Sequence, residues 1–148
     1  MAAWQPCLFK SSARQPVGDL VLNAHMIYHV VPRADWDAEP DAPYAPASLQ
    51  EERFVHCSPD VPTTLAVVDA FYRDAPRPLL ALLIDESRLT APCVFEAPVP
   101  TPPPGVSAGT LFPHVFGPVN RDAVTGILRV EWDAEGHPTG LTEWTDRG

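Results

Sequence analysis

The sequence predicts one α+β domain, mainly sheet, with one substantial helix and long proline-rich loops. Three observations lead there. The chain has 148 residues, 45% hydrophobic and 20% charged, the size and balance of one packed globular domain. Proline accounts for 19 residues, and an interior proline costs a helix about 3 kcal/mol, so long helices are excluded. The apolar residues fall in short runs bounded by prolines and turn-formers, which is the pattern of strands.

Taken in order, Ile27 to Val31 is β-branched and aromatic and reads as a strand ended by Pro32. Arg33 to Glu39 forms a short helix carrying Trp36, stopped by Pro40, and the DAPYAP segment is a loop. Ser48 and Glu51 match a capping box for a helical turn from Ser48 to Glu52. Arg53 to Ser58 is a second strand. Thr63 to Arg73 is the main helix, with Leu65, Val68, Phe71 and Tyr72 as its apolar face and Pro62 near its first turn. Leu79 to Ile84 reads as a strand buried on both faces, and Cys93 to Ala97 as a shorter one. Pro98 to Gly105 is an extended surface loop. The apolar segment Leu111 to Val119 is broken by Pro113 and Pro118, and Asn120 caps a turn over Arg121 to Val124. Gly126 to Trp132 is a strand whose hairpin partner is Thr139 to Trp144.

Charge and cysteine usage narrow the function. Acidic residues outnumber basic ones 19 to 10, a formal charge of −9, which argues against nucleic acid or anionic lipid held by bulk electrostatics. No run of apolar residues is long enough for a transmembrane helix. Cys7, Cys57 and Cys93 form no CxxC pair, and an odd, sparse set fits a reducing compartment, so a cytoplasmic location is expected. Residues 1–25 carry Lys10, Arg14 and Asp19 without an apolar core, unlike a secretory signal. They are expected to be an extension before a domain at 26–148, with Met26 as a candidate natural start. The alternative is an ordered arm in which Leu20, Val21 and Leu22 add an edge strand.

Three histidines carry the candidate chemistry. His29 lies in IYHVV, His56 in FVHCS and His114 in FPHVF, each in an apolar segment where a ring nitrogen needs a partner. For one alone, a partly buried imidazole satisfied by backbone is the better reading; three together suggest an acid–base or ligand pocket. Their separations of 27 and 58 residues lack the close spacing of a metal motif, so no metal is expected and a three-histidine hydrolase is the weaker alternative. Strand alternation turns Cys57 away from His56. Glu96 is the carboxylate to watch, and Trp4, Trp36, Trp132 and Trp144 read as packing. Phosphate-loop, dinucleotide and serine-hydrolase motifs are missing.

The segments Ile27 to Val31, Trp36, Tyr44-x-Pro46-x-Ser48-Leu49, Phe54 to Ser58, Leu79 to Asp85 and Phe112 to Pro118 together resemble the domain-of-unknown-function 952 family, over about Met26 to Val130. The resemblance implies an ADP-ribosyltransferase-like fold, a small split β-sandwich that binds NAD in a cleft between two sheets. It implies His29 at the nicotinamide ribose, His56 with Ser58 at the nicotinamide, and His114 where such folds usually carry a glutamate. Tyr44, Arg33 and Phe116 complete the implied cofactor-binding set. The expected ligand is a small-molecule nucleotide, NAD as substrate, with ADP-ribosyl transfer to an unspecified acceptor or cleavage of the NAD glycosidic bond as the chemistry. The alternative is a non-catalytic small-molecule or protein-binding domain. An acidic domain must meet the anionic pyrophosphate with local donors, and Arg33 and Arg53 are nearest in sequence.

Overall fold

The β-branched run after His25 folds as expected. In the computed structural model, which describes residues 25–98 and 101–144, strand β1 spans Met26–Pro32. Helices α1 (Arg33–Asp37) and α2 (Ala47–Glu52) flank the DAPYAP loop. Strand β2 (Val55–His56), helix α3 (Val61–Phe71) and strand β3 (Leu79–Asp85) follow. The chain then forms β4 (Cys93–Glu96), β5 (Phe112–Val115), β6 (Val124–Trp132) and β7 (Pro138–Glu143). The expectations for the N-terminal extension, with Trp4, Cys7 and the Leu20–Leu22 strand, lie outside the described residues.

The strands form two antiparallel sheets, one in the order β1-β3-β6-β7 and one in the order β2-β5-β4. Leu79 to Leu82 of β3 are fully buried, as a strand between two neighbours and covered on both faces should be. Each such leucine contributes roughly 1.5–3 kcal/mol by leaving water. The sheets meet at one seam, where Tyr28 and Ser58 exchange both backbone hydrogen bonds, at 2.9 and 2.7 Å.

Alternation along β1 divides its neighbours. Ile27 and Val31 pack with Leu80, Leu82 and Ile84 against Val55 and Val115 of the second sheet. Val30, on the other face, packs with Val68, Leu79 and Val130 beneath α3. The edge of the first sheet and α3 thus frame a space in front of the second sheet.

Three local expectations change. The Ser48–Glu51 capping box does not form: α2 is preceded by Pro46 without a side-chain cap, and the Ser48 hydroxyl faces the Phe54 carbonyl at 3.4 Å. The strand expected over Arg53 to Ser58 is cut to Val55 and His56, because Arg53 before it takes a left-handed conformation with φ 76° and Ser58 after it pairs with Tyr28 of β1. Helix α3 starts and ends two residues early, and its apolar face is rotated. Thr64 and Val68 are buried, whereas Phe71 is 69% exposed. A threonine can be buried there because its hydroxyl donates to the Asp60 carbonyl at 2.7 Å.

Candidate functional site

The space between α3, β1 and the second sheet is a cavity of about 710 Å³. Its walls are largely aromatic and aliphatic. Tyr28 and Val30 come from β1, Val67, Phe71 and Tyr72 from α3 and the residue after it, Phe112 from β5, and Phe54 from the turn before β2. Pro98, Thr101 and Pro103 border it from the proline-rich loop. The polar side chains on this surface include His56, Ser58, His114 and Glu52.

Sheet register explains why two of the expected histidines meet. His56 and His114 are directly opposed on β2 and β5, and their ring centroids lie 5.8 Å apart. Phe54 lies beside both: its ring stacks on His114 at 3.9 Å and 20° and meets His56 edge-on at 4.6 Å. Each histidine also has a carboxylate. His114 Nδ1 lies 2.6 Å from Glu96 Oε1, with His114 buried and Glu96 about half exposed. His56 Nε2 lies 2.6 Å from Glu52 Oε1, both about half exposed. A carboxylate only accepts, so the nitrogen facing it carries the proton. Glu96 therefore fixes His114 as the Nδ1–H tautomer, leaving Nε2 as the ring's acceptor when the ring is neutral. This is the orienting relationship found wherever a carboxylate holds a general-base histidine.

The third histidine stays apart. Tyr28 and Val30 line the cavity, and alternation turns His29 to the opposite face of β1. His29 is buried, with Nδ1 donating to the His56 carbonyl at 2.6 Å and its ring 5.5 Å from that of Tyr44. Burial lowers its pKa to about 4, against the raising effect of the bond to the His56 carbonyl. It is thus a neutral group that ties β1 to β2 behind the cavity wall, and the three rings do not line one cleft.

The remaining expected residues divide the same way. Ser58 is on the cavity surface. Phe116, 39% exposed, sits 5.5 Å from the Phe54 ring and outside the lining. Tyr44 is buried and packs edge-on to Trp36. It borders a separate depression with Asp35, Glu39 and Arg121, and burial pushes its hydroxyl well above the usual range. Arg33 pairs with Asp37 at 3.0 Å and lies over the Trp144 ring, so it does not reach the cavity either. Cys57 is buried, which pushes its thiol well above the usual range, unsuited to a nucleophile.

Arginine is absent from the cavity's described lining, and the side-chain contacts explain where the guanidinium groups go. Arg77 lies over Trp132, Arg121 over Trp36, and Arg129 near Trp144, while Arg73 donates to the Gly136 and Glu135 carbonyls. Arg53 is exposed and lies between Glu52 and Phe54, both cavity residues. Sequence reasoning singled out neither Glu52 nor Tyr28. Glu52 stands four residues before His56, a visible spacing whose meaning depends on the left-handed turn at Arg53. Among the described residues no group of three His, Cys, Asp or Glu side chains could hold a metal ion, and no helix is long and apolar enough to cross a membrane.

Two antiparallel sheets and a few helices around a cavity with two histidine–carboxylate pairs define a small α+β domain with a concave, mostly apolar site. The chain belongs to the family described as Protein of unknown function (DUF952), which matches residues 30–127. Among solved structures it is similar to protein CC0527 from Caulobacter crescentus, at 24% identity and a TM-score of 0.60, covering 77% of this chain and 93% of that one. A double mutant of the same protein matches at 23% identity with the same TM-score and coverage. No curated protein matches the chain.

Proposed function

We propose that the cavity receives the nicotinamide–ribose end of NAD and that the domain cleaves the N-glycosidic bond, passing ADP-ribose to an acceptor or to water. In this reading the protein is an ADP-ribosyltransferase-like enzyme whose cleft is the space framed by α3, β1 and the second sheet. The observation that carries the proposal is the Glu96–His114 pair on an aromatic-walled cavity. A flat base suits walls of Phe54, Tyr28, Tyr72 and Phe112, and an oriented imidazole suits proton removal near neutral pH. The bond between ribose C1′ and the nicotinamide nitrogen breaks, and its electron pair neutralises the pyridinium. The acceptor oxygen bonds C1′ and gives its proton to His114 Nε2.

His114 is the catalytic residue of this scheme and Glu96 its positioning residue. His56, held by Glu52, and Ser58 contact the nicotinamide end. His29 supports the wall from behind. The pyrophosphate stays outside the apolar cavity, where the exposed Arg53, between the cavity residues Glu52 and Phe54, is the nearest cation in sequence. The test is calorimetric titration of the folded protein with NAD, followed by assay of nicotinamide release. Binding with release supports the enzyme. No binding at millimolar NAD sinks the reading.

One observation favours a second reading. The walls are mainly apolar. That suits a non-catalytic receptor for a small ring compound, for which His114→Ala changes affinity and no nicotinamide is released. The three-histidine hydrolase gains no support from this geometry, because His29 faces away.

A further inference from the structure

The charge of the cavity, and not only its shape, selects the ligand. Its described lining combines aromatic rings with the Glu52 carboxylate and holds neither lysine nor arginine. The histidine beside Glu52 leaves that carboxylate a net acceptor, because His56 donates through Nε2 and a carboxylate offers several further lone pairs. A second carboxylate, Glu96, lies directly behind His114. Aromatic faces attract cations through the ring quadrupole, and a carboxylate in a partly desolvated space adds a Coulombic attraction stronger than in bulk water. The chain as a whole carries −9, so its field has the same sign as the local one. Phosphate finds no cationic donor on these described walls, where the donors are the tyrosine, histidine, serine and threonine side chains and backbone.

We infer that the site is selective for a flat organic cation of the N-alkylpyridinium class, with Glu52 and the surrounding aromatic rings as the selectivity determinants. The inference deepens the NAD reading and rests on the same cavity. The nicotinamide ring of NAD is a cation when oxidised and neutral when reduced, so the cavity distinguishes the two redox states by charge. A neutral ring of the same shape fills the walls without the attraction of Glu52, and an anionic ring is repelled.

The experiment titrates the protein with three rings of nearly equal size: N-methylnicotinamide (cation), nicotinamide (neutral) and nicotinate (anion). Affinity is expected to fall in that order, with the cation at least about tenfold tighter than the neutral ring, a difference of about 1.4 kcal/mol. Glu52→Gln is expected to remove most of that preference, and Glu52→Lys to reverse it in favour of nicotinate. Glu52 is half exposed, and circular dichroism checks that both variants fold. If neither variant folds, the wild-type order alone decides. Equal affinity for cation and neutral ring, or tighter binding of nicotinate, overturns the inference. The NAD reading fails separately: tight N-methylnicotinamide without NAD binding sinks that reading and keeps this one. Equal affinity for oxidised and reduced NAD sinks this one and keeps that reading.

Discussion

Glu96 determines which nitrogen His114 presents, and the consequence is measurable at the scale of single residues. Truncating His114→Ala removes the proposed base, and nicotinamide release is expected to fall by about 10²–10⁴-fold. Glu96→Gln keeps a carbonyl oxygen that can accept from Nδ1–H but removes the charge. Release is expected to fall by roughly 10–100-fold in kcat with KM little changed. A purely structural Glu96 would lower stability and leave kcat of the folded enzyme in place. His29 yields a separate pH prediction. Its pKa is held down to about 4, chiefly by burial, against an ordinary 6.5 in the unfolded chain. Between these values the unfolded state binds the proton and the folded state does not. Stability therefore falls as pH drops from about 6.5 toward 4, by on the order of 3 kcal/mol from this residue. Urea unfolding midpoints across that range check it. His29→Gln, which keeps a donor for the His56 carbonyl without titrating, is expected to flatten the slope.

Among the elements, β3 and α3 hold the cavity in shape. Leu82 is fully buried between both neighbours of β3, and Leu82→Ala is expected to cost about 3 kcal/mol by chemical denaturation. Asp60 caps α3 through the Thr63 amide at 2.8 Å, and Asp60→Ala is expected to cost about 1 kcal/mol. That helix supplies Val67 and Phe71 to the cavity, so the same variant should weaken ligand binding as well. Much of this level was legible in the sequence. β-branched and apolar runs marked β1, β3 and β6, and the described residues 101–111 form no helix or strand, as a proline-rich loop should. The losses have physical causes. The capping box at Ser48 competed with a proline that already starts α2, and the buried face of α3 includes Thr64, whose local backbone bond hides its burial from a hydropathy pattern. The site was half legible for the same kind of reason. His56 and His114 stood out as imidazoles in apolar segments, but whether His29 joins them depends on which face of β1 looks toward the cavity. Register and sheet order decide that, and they act across sequence separations of 27 and 58 residues.

At the scale of the whole molecule, excess acid has an expected effect on binding. A chain at −9 attracts a small cation and repels the pyrophosphate of NAD, and salt screens both effects, with a Debye length near 10 Å at 0.1 M. Raising ionic strength from about 0.02 to 0.2 M is therefore expected to weaken N-methylnicotinamide and to strengthen NAD relative to it. Affinities measured by calorimetry at both salt levels check the opposing trends. The exposed Arg53 bears on the same balance: Arg53→Ala is expected to weaken NAD several-fold and leave N-methylnicotinamide nearly unchanged. Engagement of Arg77, Arg121 and Arg129 with tryptophan rings explains why so few cations remain near the cavity.

The cavity beside α3 is proposed to bind the nicotinamide end of NAD and to act on it through His114. The most direct test is a titration of wild-type protein and His114→Ala with oxidised NAD, with nicotinamide quantified in the same samples. Binding by both proteins and nicotinamide release by the wild type alone are expected. Absence of heat and of nicotinamide from well-folded wild-type protein at millimolar NAD would contradict it.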